Sequence, residues 1–497
     1  MTIDGVGART SFLGTQLLNL QNQFNELQTQ LATGKKSDSY AGMGVNRGFA
    51  IGLRQQISAI DSFTDTATNV TTRLNVADTA LTRIAAIGTT VQGAASSSST
   101  QITSNGQTTS QATAHNSLDE MLQLLNIQSG DRYLFSGRAT DTPATASTDD
   151  ILNGVGAKAG LKQLIAERNQ ADLGTGTGRL VLATPTATSI SIAEDAAGSP
   201  FGLKLASISS SSPSVTLTGP TGSPPAETLD LGATNPNPGD TLTFAFNLPD
   251  GSTENIQLTA SGTTPLKPGQ YLIGANSTAT AANLNAALTT AVGALANGAL
   301  VAASALKASS EFFTSAPPQR VNGPPFNTAT SLIAGTPANT LSWYTGETGP
   351  DPARGTAVAR VDQAGTVQYG ARANEQAFTS QLQTIAAFAA VTTLPTDPNA
   401  DAQISALYSR VAQKLLPQTG QQTVQDIEAD FAGAQTAMKS AADRQAQTKN
   451  TAETMLQSIE GISDAEVSTK MLAVQNTLNA SYQTTAMLFQ TSLLKYL

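Results

Sequence analysis

The 497-residue chain offers few side chains with which to do chemistry: it has one histidine, His115, and no cysteine. With no second imidazole anywhere, a histidine-based zinc site or a histidine-assisted triad elsewhere in the chain is impossible. His115 lies in a Thr-rich, helix-like segment, where a solvated helix position is the simpler reading. The stretch "ILNGVGAKAGLKQLIAERN", residues 151–169, sets glycines between a short apolar run and a helix, as dinucleotide sites do. Its preceding strand would be two or three residues long and its glycine spacing is wrong, so a turn and a helix N-terminus are expected instead. "GTGTG", Gly174–Gly178, reads as a flexible loop, and the Asp149-Asp150 pair as part of a solvated one. No catalytic, cofactor-binding or metal-binding residue is assigned, no cofactor is expected, and the chain is not expected to be an enzyme.

The composition narrows the classes further. Charged residues make up 13% and aromatics 5%, so each residue brings little large apolar surface and the domains should gain stability by association. A net charge of −9 opposes a phosphate-binding surface, and no nucleic-acid partner is expected. The absence of cysteine excludes disulfides and thiolate metal sites. No apolar run of about 18 residues is visible, so no membrane insertion is expected, and the N-terminus shows no cleavable signal pattern.

What must position the chain's apolar residues is helix at both ends. Leu13, Leu17, Leu20, Phe24, Leu27 and Leu31 are spaced 4, 3, 4, 3 and 4, a coiled-coil stripe with Gln, Asn and Thr on the other faces. After Gly34 and a turn at Gly42-Met43-Gly44, the pattern resumes with Leu53, Ile57 and Ile60, passes the small Thr64, Ala67 and Thr71, and continues at Leu74, Ala77, Leu81, Ile84 and Val91. A third helix carries Leu118, Met121, Leu122 and Leu125. Towards the other end Phe378, Leu382, Ile385 and Ala389 repeat the spacing, as do Met455, Ile459 and Ile462, then Val467, Met471, Val474 and Leu478. The chain closes on Leu493, Leu494, Tyr496 and Leu497, residues expected to be buried against the N-terminal seam or another copy.

Residues 138–370 differ, with most of the Pro and Gly and many Thr and Val. "DTLTFAFNLPDGSTENIQLTA" alternates Leu242, Phe244 and Phe246, turns at Pro249-Asp250-Gly251 and returns through Ile256 and Leu258, a hairpin pattern. "TLSWYTGE" and "TAVARVDQAGTVQYG" read as further strands, and an Ala-rich helix is expected over 281–295. The expected fold is α+β and multidomain, with long terminal helices forming a coiled-coil or helical-bundle core around an inserted β-rich outer domain. The segments are 1–36 and 456–497 as terminal coiled-coil helices, 37–137 and 371–455 as halves of a helical core domain, and 138–370 as the insertion.

"LQTQLATGKKSDSYAG" followed by "FAIGLRQQISAI" resembles the N-terminal signature of the bacterial flagellin family, with Leu31, Thr33, Gly34 and Lys35 matching it. The family's acidic pair before Ala-Gly is absent; Asp38 is displaced and Tyr40 precedes Ala41-Gly42. "GDRYLFSGRATDTPA" and the ending "SLLKYL" are similar to the hook–filament junction branch, against the main filament branch as the alternative. The resemblance implies a structural, extracellular flagellar subunit. It would be exported unfolded without a cleaved signal, and its partners would be itself, other flagellar axial proteins and an export chaperone. On that reading Leu13, Leu17, Leu20, Phe24, Leu27, Leu31, Val467, Met471, Val474, Leu478, Leu493, Leu494 and Leu497 form the assembly interface. Tyr133, Leu134 and Phe135 begin a strand from helical core to outer domain, with Tyr133 and Phe135 on one face.

Overall fold

A computed structural model describes residues 4–97 and 100–493. In chain order the helices are α1 (Asp4–Thr33), α2 (Arg47–Ala95), α3 (Thr109–Leu125), α4 (Thr148–Asn153), α5 (Leu161–Leu173), α6 (Ser277–Leu295), α7 (Val301–Thr314), α8 (Gln376–Ala390), α9 (Ala400–Lys414), α10 (Val424–Glu460) and α11 (Asp464–Leu493). The α+β multidomain architecture read from the sequence is what the structure has: long helices at both ends and a β-containing region between them. Contacts divide the chain into two compact units, Met1–Thr71 with Ala359–Val367 and Gln435–Leu497, and Thr72–Val358 with Gln368–Ala434. The first holds the terminal helices; the second holds residues of both the expected core domain and the expected insertion.

In the second unit two-residue strands β1 (Gln128–Ser129) and β2 (Arg132–Tyr133) pair, as do β3 (Gly154–Val155) and β4 (Lys158–Ala159). Strands β5 (Leu180–Ala183), β6 (Ser189–Glu194), β7 (Lys204–Ser210), β8 (Thr216–Thr221), β9 (Ala226–Asp230), β10 (Thr241–Asn247), β11 (Thr253–Ser261) and β12 (Gln270–Leu272) build two four-stranded sheets, in the orders β5-β6-β9-β8 and β12-β11-β10-β7. The expected hairpin is β10 against β11, with Phe244 opposite Ile256 and Leu242 opposite Leu258. The core joins Leu180, Ile190 and Leu229 of one sheet to Phe244, Phe246 and Leu258 of the other, and to Leu284, Leu288 and Val292 of α6.

Several expectations are corrected. The Ala-rich helix is longer than 281–295, because a π-helical turn, Ala296–Leu300, carries α6 into α7 without leaving helical backbone. By length and composition alone Ser277–Thr314 passes for a membrane-crossing helix, with a mean hydropathy of 1.6 over its best window. Alanines raise that average, and Leu284, Leu288 and Phe312 are fully buried within the unit. "TLSWYTGE" is not a strand: Thr340 and Tyr344 make only isolated bridges, to Ala159 and Thr145. Trp343 and Tyr344 are adjacent and both buried. Trp343 donates Nε1–H to the Phe313 carbonyl at 3.0 Å instead. Strands β13 (Gln319–Val321) and β14 (Leu332–Ala334) pair, as do β15 (Val358–Arg360) and β16 (Thr366–Gln368), the latter closed by the expected turn, with Val361 N–H on the Gly365 carbonyl.

One buried group works against the second unit. Glu227 lies on β9 opposite Ile192 and is only 1% exposed, and both carboxylate oxygens lack a hydrogen-bond partner. Burial pushes its carboxyl up to about 7 from an ordinary 4.5. The folded state therefore holds this proton when the unfolded chain has lost it, and stability falls as pH rises from about 4.5 to about 7. Glu227→Met should abolish this fall, so that its gain in stability is larger at pH 8 than at pH 4 by about 3 kcal/mol. Thermal unfolding at the two pH values checks it.

Candidate functional site: the terminal helix pair and its clasp

The first unit turns on a short crossing of two chain segments. After α1 the chain reverses at Gly34, whose φ of +66° suits glycine. Lys36 N–H then donates to the Glu460 carbonyl at 2.7 Å, and Ile462 N–H donates to the Gly34 carbonyl at 3.0 Å. Lys35 and Gly461 face each other as an isolated antiparallel bridge. The Lys36 ammonium reaches the Ser458 and Ile459 carbonyls at 3.3 and 3.0 Å, in the last turn of α10. Those carbonyls have no partner within the helix, and a cation there also meets the negative end of the helix dipole. From α2, Arg54 closes on Glu460 with Nε–Oε1 2.9 Å and Nη2–Oε2 2.6 Å, a two-pronged pair whose carboxylate is almost wholly buried. The hydrogen bonding raises the guanidinium pKa above its ordinary value. Arg54 also lies 5.9 Å from the centre of the Tyr40 ring, the residue standing where the family pattern has an acid.

From this clasp α1 and α11 leave side by side. The C-terminus of one and the N-terminus of the other meet there, so the pair is antiparallel, and Gln21 donates to the Tyr482 hydroxyl at 3.1 Å along it. Leu27 and Val467, near the clasp, are buried. Leu13, Leu17, Leu20, Phe24, Leu31, Met471, Val474 and Leu478 are half-buried, and the positions between them are mostly exposed. Beyond Leu478 the stripe continues through Ser481 and Thr485, so its apolar character fades away from the clasp. Leu494 and Leu497 lie outside the described residues, as does the side chain of Leu493. In the helix before the clasp, Met455 is exposed and Leu456 takes the half-buried place, because α10 runs unbroken to Glu460 and sets the phase of its last turns.

The Asp131–Gly137 heptapeptide belongs to the second unit, and only Arg132 and Tyr133 are strand. The hairpin turns at Gly130, φ +68°, and pairs only two residues on each side; Tyr133 N–H donates to the Thr140 carbonyl at 2.8 Å, so Tyr133 and Phe135 do not share the face of one continuous strand. Tyr133 and Leu134 are half-buried. Phe135 is fully buried, with its ring edge-on to Phe378 of α8 at 5.6 Å. Its carbonyl accepts Ala373 N–H at 2.8 Å, and Gly137 N–H reaches the Ala371 carbonyl at 3.2 Å. The segment thus ties residues just before the insertion to residues just after it.

The other candidates stay apart. His115 is exposed on α3. Asp149 and Asp150 sit in the first turn of α4 rather than in a loop, behind the capping Ser147, where the helix dipole favours acids. Gly154 and Gly160 serve backbone packing: a Cβ on Gly154 would fall 2.2 Å from the Lys158 carbonyl oxygen, and one on Gly160 2.3 Å from the Gly154 nitrogen. Sequence reasoning missed Lys36, Arg54 and Glu460 as a group. The one local signal was Gly461 after a helical run, a stop pattern that says nothing of what the stop touches.

Glu460→Gln removes the charge from both prongs while keeping the shape. It should cost about 1–2 kcal/mol, held down by the exposure of Arg54, and should fray the start of α11. Urea unfolding followed by circular dichroism measures this. Phe135→Ala should cost about 3–5 kcal/mol in the second unit, where Tyr133→Ala costs less because its ring is half in water. Thermal unfolding of the two variants ranks them.

The bacterial flagellin N-terminal helical region matches residues 8–140, which takes in most of α1, the clasp turn, α2, α3 and the heptapeptide. No curated protein matches the chain. The match supports the bacterial flagellin family, whose members are structural, non-enzymatic proteins of the extracellular flagellum that assemble with themselves and with other axial proteins.

Proposed function

We propose that the chain is a subunit of the hook–filament junction, of the kind known as flagellar hook-associated protein 3, and that it assembles through α1 and α11. The observation that carries the junction reading is the stretch "GDRYLFSGRATDTPA", which resembles the junction branch where filament flagellins have a different segment. The assembly reading is supported by what two paired helices leave uncovered. Phe12, Leu18 and Leu472 lie off the shared stripe and are 63%, 61% and 60% exposed. Each would contribute roughly 1.5–3 kcal/mol if a neighbour buried it fully. The seam residues Leu13, Leu17, Leu20, Phe24, Leu27, Leu31, Val467, Met471, Val474 and Leu478 would then set the shape of that surface, with Leu493, Leu494 and Leu497 extending it. Export proceeds on the unfolded chain without a cleaved signal, and a chaperone covers the terminal stripes until assembly. The lack of disulfides and the thin apolar content fit such a route.

Deletion of the gene tests the junction role. Cells should carry hooks without filaments and release unpolymerised flagellin; loss of the filament protein itself would mark the chain as main filament flagellin. Leu18→Asp tests the surface, because this residue is exposed and the single chain should fold unchanged. Its assembly should need at least tenfold more protein by light scattering, and assembly at the wild-type concentration would remove α1 from the interface.

A further inference from the structure

A narrow slot opens in the second unit beside the heptapeptide. Arg73, Arg132, Tyr133, Thr140, Tyr369 and Phe431 are among the residues that line it, with backbone at Gly137 and Gly370 forming part of the wall. Its free volume is about 40 Å³, room enough for the end of a short side chain. The chemistry of the lining is specific. Phe431 is buried at its base, with the Arg354 guanidinium on the ring at 5.0 Å. Arg354 is already paired with Glu375 and Asp430. Arg73 and Arg132 are not: among the described residues neither has an ion pair or a side-chain hydrogen bond. Two unpaired guanidinium groups with two half-buried tyrosines, over an apolar floor, make the composition of an interface anchor pocket.

We infer that this slot receives one aspartate or glutamate side chain from a second copy of the chain, its carboxylate between Arg73 and Arg132 and its stem against Tyr133 and Tyr369. The inference rests on the self-assembly reading above. Charge complementarity favours a second copy: the chain carries −9 overall, and exposed carboxylates such as Asp38, Asp401 and Asp464 take part in no ion pair. A carboxylate accepts two parallel N–H bonds from a guanidinium, and it matches the slot in size. The heptapeptide would then have two jobs: Phe135 anchors it in the core, and Arg132 and Tyr133 present a contact.

The test uses the full chain with p-benzoylphenylalanine at position 131, an exposed site next to Arg132 and outside the slot lining, assembled from an equal mixture of isotope-labelled and unlabelled copies and irradiated. Mass spectrometry should find cross-links between labelled and unlabelled chains, ending on a peptide that contains Asp or Glu. In parallel, R73E/R132E should raise the concentration needed for assembly at least tenfold and leave the unfolding temperature unchanged, while R73K/R132K should have a smaller effect. A wild-type chain that stays monomeric at every concentration would overturn the self-assembly reading and the occupant with it. An assembling wild type whose cross-links all stay within one chain, or reach a peptide with no acid, would overturn the slot alone. So would R73E/R132E assembling as the wild type does.

Discussion

The first unit depends on a backbone crossing between residues 34–36 and 460–462. Two main-chain hydrogen bonds join the segments, and each is backed by a charged side chain: Lys36 caps the end of α10, and Arg54 holds Glu460. Neither α1 nor α11 has enough apolar surface to be stable as an isolated helix in water, since a helix gains most of its stability from packing. The crossing removes the problem of finding a partner, because it holds the end of α1 and the start of α11 at one point. Burial is accordingly greatest next to it, at Leu27 and Val467, and declines along the pair.

That decline has a consequence for function. A two-helix pair can bury only one stripe of each member, and here the outer apolar residues are few and widely spaced. Such a surface is weak in one copy and adds up only in a repeated array, where every subunit contributes the same small contacts. The second unit is built differently, with two sheets and a long helix sharing one large core. Among its costs are the unpaired carboxylate of Glu227 and the unpaired hydroxyl of Tyr271, both buried.

Much of this was legible because apolar spacing is a local property. The 4, 3 stripe of α1 and α11, the buried face of α8 and the hairpin of β10 and β11 all follow from residues within a few turns of one another. Illegible were the features set by distant partners. Lys36 and Glu460 are separated by more than four hundred residues, and nothing near either one names the other. "TLSWYTGE" carries strand-like residues, yet Trp343 is taken by the Phe313 carbonyl and ring. The heptapeptide's aromatics suggested a strand, but Tyr133 turns its N–H to the Thr140 carbonyl and the pairing stops there, and the Phe135 ring packs on Phe378. Met455 fits the apolar spacing and lies in water because the continuous helix sets another phase.

The central claim is that the face left bare by the paired α1 and α11 is where copies meet. Amide hydrogen exchange, measured segment by segment on the verified monomer and on the assembled protein, addresses it most directly. The account predicts that the largest gain in protection on assembly falls on residues 12–31 and 467–487, with the sheets of the second unit nearly unchanged. Equal protection of those two segments in monomer and assembly, with the gain appearing elsewhere, would contradict it.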